Sequence, residues 1–185
     1  MWKIDEEAPG EAGAREALLD RVFGPARFAK TSERLREGRL PVLALSVCDG
    51  GDLVGTLRLW AVEAGLNRPA LLLGPLAVDP DRRGEGIGAR LMRAALNRAA
   101  VAGHAAVLLV GDAPYYGRFG FSAAFTEGLQ LPGPVERHRF LGHELRAGAL
   151  RGAQGLVRPV GALQPWIAEA EAALHQPFAL HPPLN

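Results

Sequence analysis

Two short segments hold the residues whose types and spacing could do chemistry. Arg82-Arg83-Gly84-Glu85-Gly86-Ile87-Gly88 sets two guanidinium groups beside three glycines, and Asp112-Ala113-Pro114-Tyr115-Tyr116 sets a carboxylate beside two phenols. Glycines let a backbone turn with positive φ and approach a ligand closely. Ala89 to Leu96 are good helix formers with apolar positions three and four apart, so the glycine turn opens a helix. The first N–H groups of that helix lack internal partners, and its dipole places partial positive charge at the same end, which suits a phosphate or pyrophosphate. Arg82 and Arg83 can add charge-assisted hydrogen bonds. A strand, a turn and a helix need a glycine-rich joint in any case, so the register matters more than the glycines. No Lys-Ser or Lys-Thr follows, as a P-loop requires, and the run does not match a dinucleotide fingerprint at a first strand. In the second segment Asp112 is a natural N-cap with Pro114 in the first turn, which would hold the phenols on a short helix.

The hydrophobic pattern supplies elements in α+β order. Residues 12–23 read as a helix stopped by Gly24-Pro25, and Ser32 to Glu37 as a short second helix with Thr31 as its cap. Pro41–Val47 and Leu53–Val62 read as a strand pair turned by Asp49-Gly50-Gly51-Asp52. Leu71–Val78 is the next strand, then comes the helix over 86–101, and Ala105–Val110 is a continuous apolar run that reads as a buried strand. Strand 71–78, the helix and strand 105–110 make a right-handed βαβ unit. Gly74-Pro75 interrupts its first strand, and such a pair marks a bulge or kink. Strands near Phe121–Phe125, at Phe140–Leu145 and at Leu156–Val160 follow, then a helix over Trp166–Leu174 behind Pro165 and a proline-containing tail from Gln176 to Asn185. The reading is one domain over residues 1–185, with its core at about 15–160 and a C-terminal helix and tail at 161–185.

Arg83, Gly86 and Gly88 occupy the positions of R/Q-x-x-G-x-G/A, and Tyr116 with Gly120-Phe121 fits Y-x-x-x-G-F about thirty residues on. In this the chain resembles the GNAT superfamily of N-acetyltransferases, in a bacterial branch of predicted enzymes. The resemblance is detailed over residues 70–122. It implies the acyl-CoA N-acyltransferase fold, with a mixed, mostly antiparallel sheet, a splayed parallel strand pair and flanking helices. It implies acetyl-CoA as cosubstrate, held by Leu76, Ala77 and Val78 along the pantetheine arm, by Arg83, Gly84, Glu85, Gly86, Ile87, Gly88 and Ala89 at the pyrophosphate, and by Tyr116 at the sulfur. The expected chemistry is direct attack of a neutral primary amine on the thioester. A backbone N–H of Ala77 or Leu76 would face the developing oxyanion, and Tyr116 would act as general acid, with Tyr115 the competing phenol. Glu63, Asp79, Asp112 or a water relay could take the amine's proton. Acceptor contacts are expected from Arg27 to Arg39, Val62 to Arg68 and Val135 to His143.

Composition agrees with this reading. A chain of 185 residues with 48% hydrophobic and 22% charged residues suits an ordinary globule. A net charge of +1 gives no footprint for nucleic acid or an anionic membrane. No apolar run is long enough to span a bilayer, and MWKIDEEAPG does not read as a signal segment. The lone Cys48, in a strand-like run, reads as a buried small apolar residue in a reducing, cytoplasmic setting. The five histidines lack metal-ligand spacing, so no metal is expected. The expected partner is a small-molecule or peptide amine; the tail could pack on a second copy of the chain as a homodimer, a loose end being the commoner outcome. A catalytically silent acyl-CoA-binding module is the alternative function.

Overall fold

The computed structural model describes residues 2–174; the tail from Gln176 lies outside them. One sheet runs in the order β1 (Lys3–Glu6), β2 (Leu43–Asp49), β3 (Asp52–Ala64), β4 (Pro69–Val78), β5 (Ala106–Val110) and β7 (Phe140–Glu144), with β6 (Leu129–Gln130) intervening in sequence. β8 (Gly155–Pro159) pairs with the end of β3 at Val62–Ala64 and, in parallel, with β6. All other pairings are antiparallel except β4 with β5, joined by the crossover helix α2 (Ile87–Val101). The mixed, mostly antiparallel sheet, with β4 and β5 as its central parallel pair and a short parallel pairing of β6 with β8, is the α+β architecture expected from the element order.

α2 buries Ile87, Leu91, Met92, Ala95 and Ala99, a stripe at helical spacing, against Leu57, Leu59, Leu71, Leu73, Val107 and Leu109 of the sheet. The opposite face is covered over Trp60, Leu72 and Leu108 by Leu129, Phe140, Leu150 and Val157. Near the β2–β3 hairpin, α1 (Ala12–Phe23) inserts Leu18 and Leu19 against Leu53 and Ala77. Asp49 and Asp52 pair across the hairpin turn, whose Gly50 and Gly51 both carry positive φ, as a two-residue turn of matching twist needs.

Three local expectations are corrected. Residues 121–125 form no strand. Ser122 bridges only Gly142, its hydroxyl accepts from Ala124 N–H at 3.2 Å, and Ala123–Thr126 coil into a 3₁₀ turn. The Thr126 hydroxyl then donates to the carbonyls of Ala123 and Phe140 at 3.0 and 2.6 Å, so side chains take bonds that a ladder would use. The second helix is a pair of 3₁₀ turns, Pro25–Ala29 and Thr31–Leu35, and Thr31 caps neither, because its hydroxyl donates to Pro134 O at 2.6 Å. β1 was not foreseen, because it is a polar, largely exposed edge strand without apolar alternation. The C-terminal helix α4 spans Pro165–Leu174, and the short helix α3 spans Ala113–Gly117.

Candidate active site

The site begins with a defect in β4. Leu71 and Leu73 face α2, but beyond Gly74-Pro75 it is Leu76 and Val78 that share that face, while Ala77 turns to α1. One residue has been inserted: Leu59 pairs with Leu73 and Leu57 with Leu76, so three steps along β4 oppose two along β3. Gly74 takes a φ of 134°, which glycine alone adopts readily, and its carbonyl accepts from the Trp60 indole N–H at 2.5 Å. The parallel pairing with β5 is confined to Leu71–Val107 and Leu72–Leu108, after which the two strands part.

Backbone alternation then decides which groups face the gap. Asp79 N–H donates to Val54 O at 2.9 Å, so Asp79 is a hydrogen-bonded position toward β3. By the two-residue period of an antiparallel ladder, Ala77, opposite Thr56, also spends its N–H and C=O on β3. Leu76 and Val78 therefore direct theirs into the opening left by β5. Of the two backbone donors considered from the sequence, this geometry leaves Leu76.

The glycine turn lies at the far end of that opening. Gly84 and Gly86 have φ of 89° and 79°, and Gly86 is the N-cap of α2, accepting from Arg90 N–H at 3.0 Å. No side chain caps this terminus, so its first N–H groups look into a cleft of about 350 Å³ lined by Val78, Arg83, Gly86, Gly88 and Tyr115. The two arginines divide their roles. Arg82 also lines this cleft, but it is bound by Asp49 at 2.9 Å and by Glu85 at 2.6 Å, so it braces the β2–β3 hairpin against the turn. Glu85 is thereby occupied as well, which leaves its backbone as its contribution. The Arg83 guanidinium makes no ion pair among the described residues and lines the cleft.

The two tyrosines also separate. Asp112 caps α3, accepting from Tyr115 N–H at 3.1 Å, and the rings meet edge to face with centroids 4.9 Å apart. The Tyr115 hydroxyl lies over the start of α2, so close that a Cβ on Gly88 would sit 3.0 Å from it. Tyr116 instead lies across the exit of β5: a Cβ on Gly111 would fall 2.2 Å from its Cε2, so Gly111 is the seat that admits the ring. The Tyr116 ring packs in a T-shaped contact with Phe121, centroids 6.1 Å apart, and lines a cavity of about 590 Å³ beside Leu76 and Gly74. Burial pushes the Tyr116 hydroxyl up to about 12 and raises Tyr115 above the usual phenol range.

The carboxylates considered as bases are engaged elsewhere. Asp79 accepts from Asp81 N–H at 3.0 Å and pairs with Arg21 at 2.8 Å, while Asp112 holds its helix cap. Glu63 pairs in register with Pro69, at the end of β4 remote from the opening, roughly 20 Å of strand away from Leu76. The Val62 to Arg68 hairpin lies at that end too, with Arg68 donating to Ala149 O at 3.2 Å, so it does not face the cavity. Cys48 is half-buried and donates toward Glu11 at 3.3 Å; burial first, then Glu11, pushes its thiol up to about 11, which keeps it an inert thiol. Lys30, Arg36 and Arg139, which line the cavity at Tyr116, fall in two of the segments expected to meet the acceptor, Arg27 to Arg39 and Val135 to His143, though the sequence did not single them out. It missed Gly111 in the lining and Trp60, which holds the Gly74 carbonyl, and only the Gly-Asp-Ala-Pro run after an apolar strand could have drawn attention to Gly111.

A bulged strand, a splayed parallel partner and an uncapped glycine turn together define a class of acyl-carrier clefts, and comparison with known proteins agrees. The acetyltransferase (GNAT) domain profile matches residues 43–123. The chain is 35% identical over 156 residues to the uncharacterized N-acetyltransferase YhbS of Escherichia coli strain K12, covering 83% of this chain and 93% of that protein. It is similar to the crystal structure of E. coli YhbS in complex with CoA, with a TM-score of 0.75, 34% identity, and coverage of 86% of this chain and 89% of that one. A GNAT family acetyltransferase from Brucella melitensis, in complex with acetyl-CoA, is similar at a TM-score of 0.59 and 27% identity, over 77% of this chain and 96% of that one. The chain belongs to the GNAT family of N-acetyltransferases.

Proposed function

We propose that this enzyme transfers an acetyl group from acetyl-CoA to a primary amine by direct attack, with Tyr116 as the proton donor. The observation that carries the reading is the unpaired backbone of Leu76 and Val78 at the β4 bulge, placed between the start of α2 and the Tyr116 ring. The residues present fit the cosubstrate. The α2 N–H groups and Arg83 suit its pyrophosphate, the polar edge of β4 suits its amide-bearing arm, and Gly84, Gly86 and Gly88 keep the turn free of side chains. Acetyl-CoA supplies an activated acetyl group as a thioester. The Leu76 N–H faces the carbonyl oxygen and stabilises the charge that develops there.

The amine nitrogen bonds to the carbonyl carbon, the carbon–sulfur bond breaks, and the electron pair leaves on sulfur. Tyr116 Oη gives that sulfur a proton and recovers one from solvent, while the amine's surplus proton passes to water. The products are an amide and a free thiol. A thiol's ordinary pKa of about 8.5 lies well below the 12 or so of Tyr116, so transfer on its own is uphill; the phenol is hydrogen-bonded to the sulfur as the bond breaks, and its proton moves only in concert with cleavage and with its replacement from solvent. Asp79 and Asp112 keep their structural bonds throughout, which is why water is assigned the amine's proton.

The test is Tyr116→Phe, assayed by thiol release from acetyl-CoA with an amine panel. The expected outcome is a fall in kcat of about 10²-fold with the CoA dissociation constant unchanged. Wild-type turnover in the variant removes the acid role.

A further inference from the structure

The acetyltransferase reading leaves the acceptor open, and the charges around the cavity narrow it. Two cavities flank Pro75 and share Arg27 and Arg36. In the one of about 310 Å³ every arginine is answered. Glu7 binds both Arg15 and Arg58, Glu16 and Asp20 bind Arg27, and Arg39 donates to Gly161 O. The cavity of about 590 Å³ at Tyr116 is different. Lys30 and Arg139 both line it, and neither has a carboxylate partner among the described residues. Arg36, 8% exposed, spends Nε and Nη2 on Glu33 at 2.8 and 2.7 Å, while its Nη1 lies 3.5 Å from where a Cβ on Gly74 would stand, at the bulge itself. Asp112 is the carboxylate on this wall, and it is engaged as a cap. Glu136, on the adjoining surface, is paired to His138 at 3.4 Å and is largely exposed. Burial first, then the Arg36 and Arg139 charges, hold Lys30 below the usual lysine range.

We infer that the acceptor is a small amine that also carries an anionic group, a carboxylate or a phosphate-like group, bound between Lys30, Arg139 and the free Nη1 of Arg36 while its amino group reaches the thioester at Leu76 and Tyr116. The inference rests on the acetyltransferase reading. A cavity wall on which Lys30, stacked over the Phe23 ring at 4.3 Å, and Arg139 have no carboxylate partner among the described residues stabilises an anion and repels a polycation, because like charges brought together in a partly desolvated site are costly. Each charge-assisted bond to such an anion is worth about tenfold or more in binding.

The experiment compares four primary amines of matched chain: β-alanine, 3-aminopropylphosphonate, 3-aminopropanol and 1,3-diaminopropane, each followed by thiol release from acetyl-CoA. The expected result is a kcat/KM at least about tenfold higher for an anionic amine than for the amino alcohol, with the diamine lowest. Between the two anionic arms, preference for β-alanine assigns a carboxylate and preference for the phosphonate a phosphate-like group. Lys30→Gln and Arg139→Gln each raise KM for the anionic amine about tenfold with little change in kcat, and Arg139→Lys restores most of the loss. CoA affinity, measured by calorimetry on the same variants, stays within about twofold of wild type, since the cations serve the acceptor. Equal or better use of the neutral or dicationic amine, or no transfer to either anionic amine, overturns the inference. A parallel loss of CoA affinity in Lys30→Gln or Arg139→Gln also overturns it, by assigning the cations to the cosubstrate's phosphates. Transfer to 3-aminopropanol alone would sink the acceptor class and leave the acetyltransferase reading standing.

Discussion

The two halves of the cleft that meet at Leu76 are built from different materials. The half running from the β4 bulge to the start of α2 is mostly backbone: a freed strand edge at Leu76 and Val78, glycines at 84, 86 and 88, and helix N–H groups without a side-chain cap. The half running from Tyr116 to the 3₁₀ turns is mostly charged side chain, with Lys30, Arg36 and Arg139 converging from distant parts of the chain. A backbone surface recognises what every substrate of the reaction shares. A side-chain surface can be exchanged residue by residue, so it is where one member of a family sets its own acceptor. The two halves should therefore break in opposite ways, the first by gain of a side chain and the second by loss of one.

The sharpest break is Gly86→Glu. A non-glycine residue at φ 79° strains the cap by about 1–2 kcal/mol, and its carboxylate would repel the pyrophosphate that the proposed function seats at this helix start. CoA affinity should fall by about 100-fold or more in calorimetry, while Gly86→Ala, which carries the strain without the charge, should lose much less. Next is Gly111→Ala. The added Cβ meets Tyr116 Cε2 at 2.2 Å, so the ring must move, and a loss of about 1–3 kcal/mol in urea unfolding should accompany a fall in kcat. Retained stability and turnover would mean that the ring is not seated there.

A pH titration comes third. Tyr116 is raised by burial, so its folded value of about 12 exceeds its unfolded value of about 10. Its contribution to stability is complete below pH 10 and declines as pH rises toward 12. Ultraviolet titration of phenolate absorbance should therefore show the Tyr116 signal, identified by its loss in Tyr116→Phe, only at the top of that window, and no alkaline fall in rate near pH 10 should trace to it. The smallest effect marks the baseline outside either half. Arg21→Ala removes the exposed Arg21 from the mostly buried Asp79 carboxylate, which keeps its bond from Asp81 N–H, and should change unfolding free energy by no more than about 1 kcal/mol.

The same division of materials explains what the sequence disclosed. The backbone half is legible because glycine and proline are the residues that local geometry selects: Gly74-Pro75 predicts the bulge, and the spacing of Gly84, Gly86 and Gly88 predicts an anion-ready helix start. Even so, only the register with β3 separates Leu76 from Ala77, and only the structure shows Arg82 occupied by Asp49 and Glu85 while Arg83 stays open. The side-chain half was legible only as segments, Arg27 to Arg39 and Val135 to His143, and not as the particular side chains that line the cavity. Lys30 and Arg139 are ordinary surface charges in one dimension, and only the fold of the 3₁₀ turns against the Pro132–Pro134 segment, through Thr31 and Arg34, brings their neighbourhoods together. Residues 121–125 misled for a related reason, since their apolar pattern reads as a strand while Ser122 and Thr126 divert the backbone bonds.

The central claim is that this cleft holds a CoA thioester on the backbone of β4 and the start of α2. Calorimetric titration of the full chain with CoA, acetyl-CoA and ATP tests it most directly. The account predicts micromolar binding of both CoA species and binding of ATP weaker by about 100-fold, since ATP cannot pair an arm with Leu76 and Val78. Binding of ATP alone, or no binding of either CoA species, would contradict it.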